Sequence, residues 1–120
     1  MVDLIGDKIP DIKLVKMDSE KGPQPLSVLE FCKDKKVVMF GVPGAFTPTC
    51  SRNHLPGFID KADEMKARGI DEVICFATND IFTLSAWEEM SGSIGKILFL
   101  SDSKAKFSKS IGTDFPDSFG

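Results

Sequence analysis

No stretch of this sequence approaches the roughly 20 consecutive apolar residues that cross a bilayer. The longest apolar run, residues 37–42, has only the length of a strand. The first ten residues lack the charged and apolar blocks of a signal peptide. A cytoplasmic location is therefore expected, although an organelle presequence already removed would leave no trace. Basic runs and basic-aromatic stripes are also absent. The lysines of residues 33–36 are interrupted by Asp34, and 15 basic against 18 acidic side chains give a net charge of −3. Neither nucleic acid nor membrane is an expected partner. No G-x-G-x-x-G follows a strand-like run and no Walker A lysine motif occurs, so phosphate cradling has no support.

Cysteine is scarce. There are three, Cys32, Cys50 and Cys75, and no C-x-x-C joins any two. An odd count without repeated spacing excludes a secreted disulfide scaffold, and the missing dithiol excludes a thioredoxin-type exchanger. Thiol chemistry at a single cysteine remains. Histidine is scarcer still, with only His54. Cys50 and His54 could share one helix face, but two ligands do not make a structural zinc site. No metal and no cofactor are expected.

What is present is an alternation of strand-like and helix-like blocks without repeats or long linkers. With 120 residues, one domain spanning 1–120 is expected, large enough for a real core. Residues 12–17 alternate apolar and polar, as a half-buried strand does. Residues 21–25 read as a turn-rich break. Ser27 and Glu30 form an S-x-x-E capping box that opens a short helix. Residues 36–42 are apolar and β-branched, the pattern of a strand buried on both faces. A loop with Gly44 and two prolines follows, then a helix that Pro56 kinks or restarts. In that helix Phe58, Ala62 and Met65 share a face, and Gly69 stops it. Residues 72–78 and 97–101 read as further core strands. Between them Asn79 or Asp80 caps a helix carrying Leu84 and Trp87 on one face, and Trp87, at helical spacing from Leu84 and Met90, reads as core. Residues 103–111 read as a last helix. The sum is a three-layer α/β domain with parallel strand pairs.

In open α/β sheets functional groups gather at the carboxyl ends of strands. Cys50 lies there, one loop after the 36–42 strand and in the first turn of the next helix. The partial positive charge and unpaired N–H groups of a helix start favour thiolate over thiol, so Cys50 is expected to be reactive. Thr47 and Thr49 supply hydroxyls beside it. Cys75 stands among Val73, Ile74, Phe76 and Ala77 and reads as a buried small hydrophobe. No motif recommends Cys32 as a resolving partner.

The run Pro43-Gly44-Ala45-Phe46-Thr47-Pro48-Thr49-Cys50 resembles the peroxiredoxin signature P-x-x-x-T-x-x-C. The longer stretch 41–58, GVPGAFTPTCSRNHLPGF, is similar to the type II (peroxiredoxin-5) subgroup. Further likeness runs through residues 6–10, Cys75, the Asn79-Asp80 step, Trp87 and Ser101-Asp102. The resemblance implies a thioredoxin-like fold and a thiol-dependent peroxidase acting on hydrogen peroxide and organic hydroperoxides through a Cys50 sulfenic acid. Thioredoxin or glutaredoxin with glutathione would be the reductant, and a homodimer the assembly. It also implies that Thr47 hydrogen-bonds the peroxide and that Pro43 shields the thiolate from water. Phe46, Leu55, Pro56 and Phe119 match pocket and dimer-contact positions, with core packing as the alternative for each. His54 falls near the site, in an orienting or packing role.

One departure stands out. The family's site arginine lies after the segment matching Ser118-Phe119-Gly120, where this sequence stops, and Arg52 and Arg68 occupy other positions. The fold is therefore expected to be C-terminally truncated, with weakened activity and an open sheet edge. Two other functions stay open at this point. One is a peroxide sensor or relay that passes oxidation to a partner. The other is an inactive fragment serving as an interaction module.

Overall fold

The computed structural model describes residues 9–42, 44–46, 55–93 and 95–111. Within them five strands form one sheet in the order β2-β1-β5-β4-β3. β1 (Lys13–Asp18) and β2 (Gly22–Ser27) make an antiparallel hairpin, and β3 (Val37–Gly41), β4 (Glu72–Ala77) and β5 (Leu98–Ser101) are parallel. Four helices cover the sheet: α1 (Val28–Cys32), α2 (Leu55–Ala67), α3 (Ile81–Ser91) and α4 (Lys106–Ser110).

The strand period of two sorts side chains into two cores. Along β4, Val73, Cys75 and Ala77 enter one cluster with Leu55, Leu84 and Trp87, beneath α2 and α3. Ile74 and Phe76 enter the other with Val28 and Phe107, against α1 and α4. The result is the three-layer arrangement that the alternation of elements predicts. Phe40 and Phe58 stack with ring centroids 3.8 Å apart, which fixes α2 on β3. Trp87 meets Phe99 edge-on at 5.6 Å, which fixes α3 on β5.

Local signals account for most boundaries. Ser27 caps α1 by accepting from the Glu30 N–H at 3.3 Å. Asp80, not Asn79, caps α3, accepting from the Thr83 N–H at 2.9 Å and its hydroxyl at 2.7 Å. Gly69 adopts a φ of +100°, a conformation open to glycine and closed to most side chains. Among the described residues no helix is long and apolar enough to cross a membrane.

Three expectations need correction. Residues 21–25 are not merely a turn, because β2 begins at Gly22 and pairs in register with β1. Pro23 and Pro25 hide the strand in the sequence, yet an edge strand tolerates proline because its outer side has no ladder to complete. The turn itself is residues 19–21, held by the Asp18 carboxylate, which accepts from the Glu20 and Lys21 N–H groups. β3 is not buried on both faces but is half-buried, one of the two edge strands among the described residues. The last helix begins later than expected, at Lys106, because the buried Asp102 carboxylate draws the Phe107 and Ser108 N–H groups onto itself. Trp87 is core as expected, at 2% exposure, whereas Met90 on the same helix is 79% exposed.

Candidate active site

The carboxyl ends of β3, β4 and β5 lie side by side, and polar contacts bind them together. The Val42 N–H donates to the Phe76 carbonyl at 3.1 Å, extending the β3–β4 ladder one residue past β3. The Asp102 N–H donates to the Ala77 carbonyl at 2.8 Å, which does the same for β4 and β5. The Ser101 hydroxyl donates to the Asn79 carbonyl at 2.6 Å. The Asn79 side-chain oxygen in turn accepts from the Ala45 N–H at 2.8 Å. The loop leaving β3 is thus tied to the loop leaving β4.

Immediately after that tie the backbone takes an unusual conformation. Phe46 has a φ of +61°, in the left-handed region that a bulky side chain rarely enters. Its ring is 46% exposed and lies 6.4 Å from the Trp87 ring. On the far side of residues 47–54, Leu55 is 1% exposed and sits in the core beneath α2 and α3. Pro56 is half-buried in the first turn of α2 as described, where a missing N–H costs nothing. Core packing therefore holds Leu55, whereas Phe46 presents its ring at the surface.

Pro43, Thr47, Cys50 and Phe119 lie outside the described residues, as do Arg52 and His54. The two other cysteines are described. Cys75 is fully buried in the middle of β4, as its apolar neighbours foretold. Cys32 is half-buried at the end of α1. Burial pushes its thiol above the ordinary pKa and Glu72 adds to the rise, with Lys35 opposing. Neither environment favours a thiolate at neutral pH. Among the described residues no group of three or more His, Cys, Asp or Glu side chains gathers to hold a metal ion.

Asn79 is the residue the sequence left ambiguous. Asn and Asp are equally good caps, and the two stand next to each other. Only one can occupy the cap position of α3. With Asp80 there, the Asn79 side chain is released toward the loop after β3.

A protein-family model described as Redoxin matches residues 4–119. Peroxiredoxin-2D of Arabidopsis thaliana is 43% identical over 110 residues, spanning 92% of this chain and 68% of that relative. Among solved structures, reduced Prx3 of Vibrio vulnificus in complex with hydrogen peroxide superposes with a TM-score of 0.91 at 40% identity, covering 99% of this chain and 73% of that one. Peroxiredoxin 5 of Alvinella pompejana superposes with a TM-score of 0.80 at 31% identity, covering 94% and 71%. The three-layer sheet is thus a thioredoxin-like fold, and the chain belongs to the peroxiredoxin family of thiol-dependent peroxidases that serve antioxidant defence.

Proposed function

We propose that Cys50 is the peroxidatic nucleophile of this peroxidase. The observation that supports it most is the bracketing of residues 47–54. Ala45 is tied to Asn79 at one end, and Leu55 is buried in the core at the other. Ala45, which precedes this segment, is tied down at the carboxyl ends of the parallel strands, where an α/β fold presents its reactive groups.

The chemistry then balances simply. The Cys50 thiolate attacks one peroxide oxygen, so an S–O bond forms as the O–O bond breaks. The departing oxygen takes a proton and leaves as water or, from an organic hydroperoxide, as alcohol. Cys50 is left as a sulfenic acid. Thr47 holds the peroxide by hydrogen bonding, and Pro43 keeps water from the thiolate. Donors fixed around the leaving oxygen stabilise its developing charge. An external thiol, from thioredoxin or from glutaredoxin with glutathione, next forms a mixed disulfide with release of water. A second thiol frees Cys50. Cys32 and Cys75 are poor candidates for resolution within the chain, since one has a raised pKa and the other is fully buried.

The same reading takes residues 1–120 as one domain, acting in the cytoplasm, where thiol reductants are kept supplied. It also takes Phe46, Pro56 and Phe119 as pocket and dimer-contact residues, with Leu55 supporting them from the core. The exposure of the Phe46 ring supports a homodimer contact there.

The test is site-resolved trapping. Hydrogen peroxide is added at neutral pH, sulfenic acid is captured with a dimedone probe, and labelled cysteines are read by mass spectrometry. Selective labelling of Cys50, lost in Cys50→Ser, is expected. Labelling of Cys50 no faster than that of Cys32 would refute the assignment.

A further inference from the structure

We propose that Asn79 is a positioning residue for the peroxidase reaction, acting through the Ala45 N–H on the loop that leads to Cys50. The proposal rests on the reading of Cys50 as the nucleophile.

The argument starts from the conformation of Phe46. A phenylalanine at a φ of +61° is strained and persists only where its surroundings over-determine it. The constraint on its amino-terminal side is visible. Ala45 is 8% exposed, and its N–H is held by the Asn79 side-chain oxygen at 2.8 Å. Asn79 is itself fixed, because its carbonyl accepts from the Ser101 hydroxyl at 2.6 Å. On the other side, the Phe46 ring stands against Trp87, which is 2% exposed and packed on Phe99. Carboxamide and indole together hold a turn that the local sequence would not adopt unaided. Removing the carboxamide leaves a buried N–H without its acceptor and lets Phe46 relax toward a common backbone conformation.

In-line displacement needs the thiolate, the peroxide and the donors around it in near-attack geometry. A misplacement of about 1 Å, even from a distant change, costs about 100-fold in rate. An undemanding electrophile needs only an accessible thiolate. Loss of the Asn79 contact should therefore separate the two reactivities.

The experiment measures two rate constants at Cys50 in the otherwise unaltered protein. One is for hydrogen peroxide and the other for iodoacetamide across a pH series, with alkylation assigned by mass spectrometry. Asn79→Leu keeps the volume and loses the acceptor. Asn79→Asp keeps an acceptor oxygen. Asp80→Ala loosens the start of α3 without touching Ala45. Asn79→Leu is expected to lose about 10- to 100-fold with peroxide, while alkylation and its pH midpoint stay within about twofold. Asn79→Asp should recover most of the peroxide rate, and Asp80→Ala should keep it. Should Asn79→Leu not fold, Asn79→Ala is read in its place, below its melting temperature.

Three results would overturn the proposal. They are folded Asn79→Leu reacting with peroxide at the unaltered rate, both reactivities falling in equal proportion, and Asp80→Ala matching the loss. Peroxide consumption that survives Cys50→Ser marks a different failure, that of the nucleophile assignment, and removes this proposal with it.

Discussion

Replacing Gly41 by alanine sets two ordinary effects against each other, and the structure gives the sign. Glycine within a strand is entropically costly, so Gly→Ala at a compatible backbone stabilises by about 0.4–1 kcal/mol. Gly41 lies outside the left-handed region, so alanine is conformationally allowed. The obstacle is a neighbour. A Cβ built on Gly41 would stand 2.7 Å from the Phe76 Cζ, with two further ring atoms at 3.0 and 3.2 Å. Carbon atoms prefer about 3.5–4.0 Å, so the ring must retreat by roughly 1 Å. Phe76 is 8% exposed and meets Phe107 edge-on at 5.2 Å, which blocks an easy retreat. Overpacking of this kind costs about 1–3 kcal/mol. The clash exceeds the entropic gain, and Gly41→Ala is expected to lose about 1–2 kcal/mol net.

Urea unfolding measures it. With a slope of about 1–3 kcal/mol/M, the midpoint should fall by roughly 0.5–1 M at an unchanged slope. Phe76→Leu removes the ring atoms that clash. The double variant should therefore be less destabilised than the sum of the singles, by about 0.5 kcal/mol or more. A Gly41→Ala protein as stable as the parent, or strict additivity in the double variant, would refute the steric argument. Because Gly41 pairs with Phe76 across β3 and β4, the same substitution also disturbs the strand that leads into the loop held by Asn79.

Leu84→Ala empties a position that is 0% exposed on the buried face of α3 and should cost about 2–5 kcal/mol, seen as a large drop in Tm. Acid should weaken the fold through Asp80, whose carboxyl is held below its ordinary pKa first by the Thr83 hydroxyl and then by the Thr83 N–H. A depressed folded pKa means that the stabilisation is present above the unfolded value of about 3.9 and lost as pH falls through the folded one. Asp80→Asn keeps a cap without the charge and should flatten this part of a stability–pH curve. Cys32 has the opposite sign. Its raised pKa leaves stability intact below the ordinary thiol value and weakens it at alkaline pH, as the thiol is forced to ionise. Its alkylation at pH 7.5 should accordingly be slower than that of a small free thiol, and as fast or faster alkylation would contradict the burial.

Elements carried by continuous apolar pattern or by a cap were legible in the sequence. β4 reads as a buried strand because Val73 to Ala77 are apolar without a break, and the structure buries each of them. α1 reads from Ser27 and Glu30 alone. β2 was illegible because Pro23 and Pro25 are turn residues in any local reading, and only pairing with β1 makes them an edge strand. The Asn79–Ala45 contact links residues 34 apart in sequence. Nothing local announces it, and the Asn79-Asp80 step signals only that one polar side chain is surplus to the cap.

On the proposed assignment of Cys50 as nucleophile, the same physics bears on how oxidation is directed to one of three thiols. Reaction with peroxide requires a thiolate, and a thiolate requires an environment that favours charge. Cys75 is fully buried at the centre of an apolar strand, where ionisation is opposed by desolvation. Cys32 is reachable, yet burial and Glu72 hold it protonated more strongly than Lys35 ionises it. The remaining cysteine follows a loop fixed by Asn79 and precedes a helix whose Phe58 is stacked on β3. On the proposed assignment of Cys50, the environments of Cys32 and Cys75 contribute to selectivity by keeping two of the three thiols out of the reaction. A Cys50→Ser protein exposed to excess peroxide should accordingly show almost no oxidation at Cys32 or Cys75 over the time in which the unaltered protein oxidises fully at Cys50. Rapid oxidation of either residue in that variant would show that the fold does not silence them.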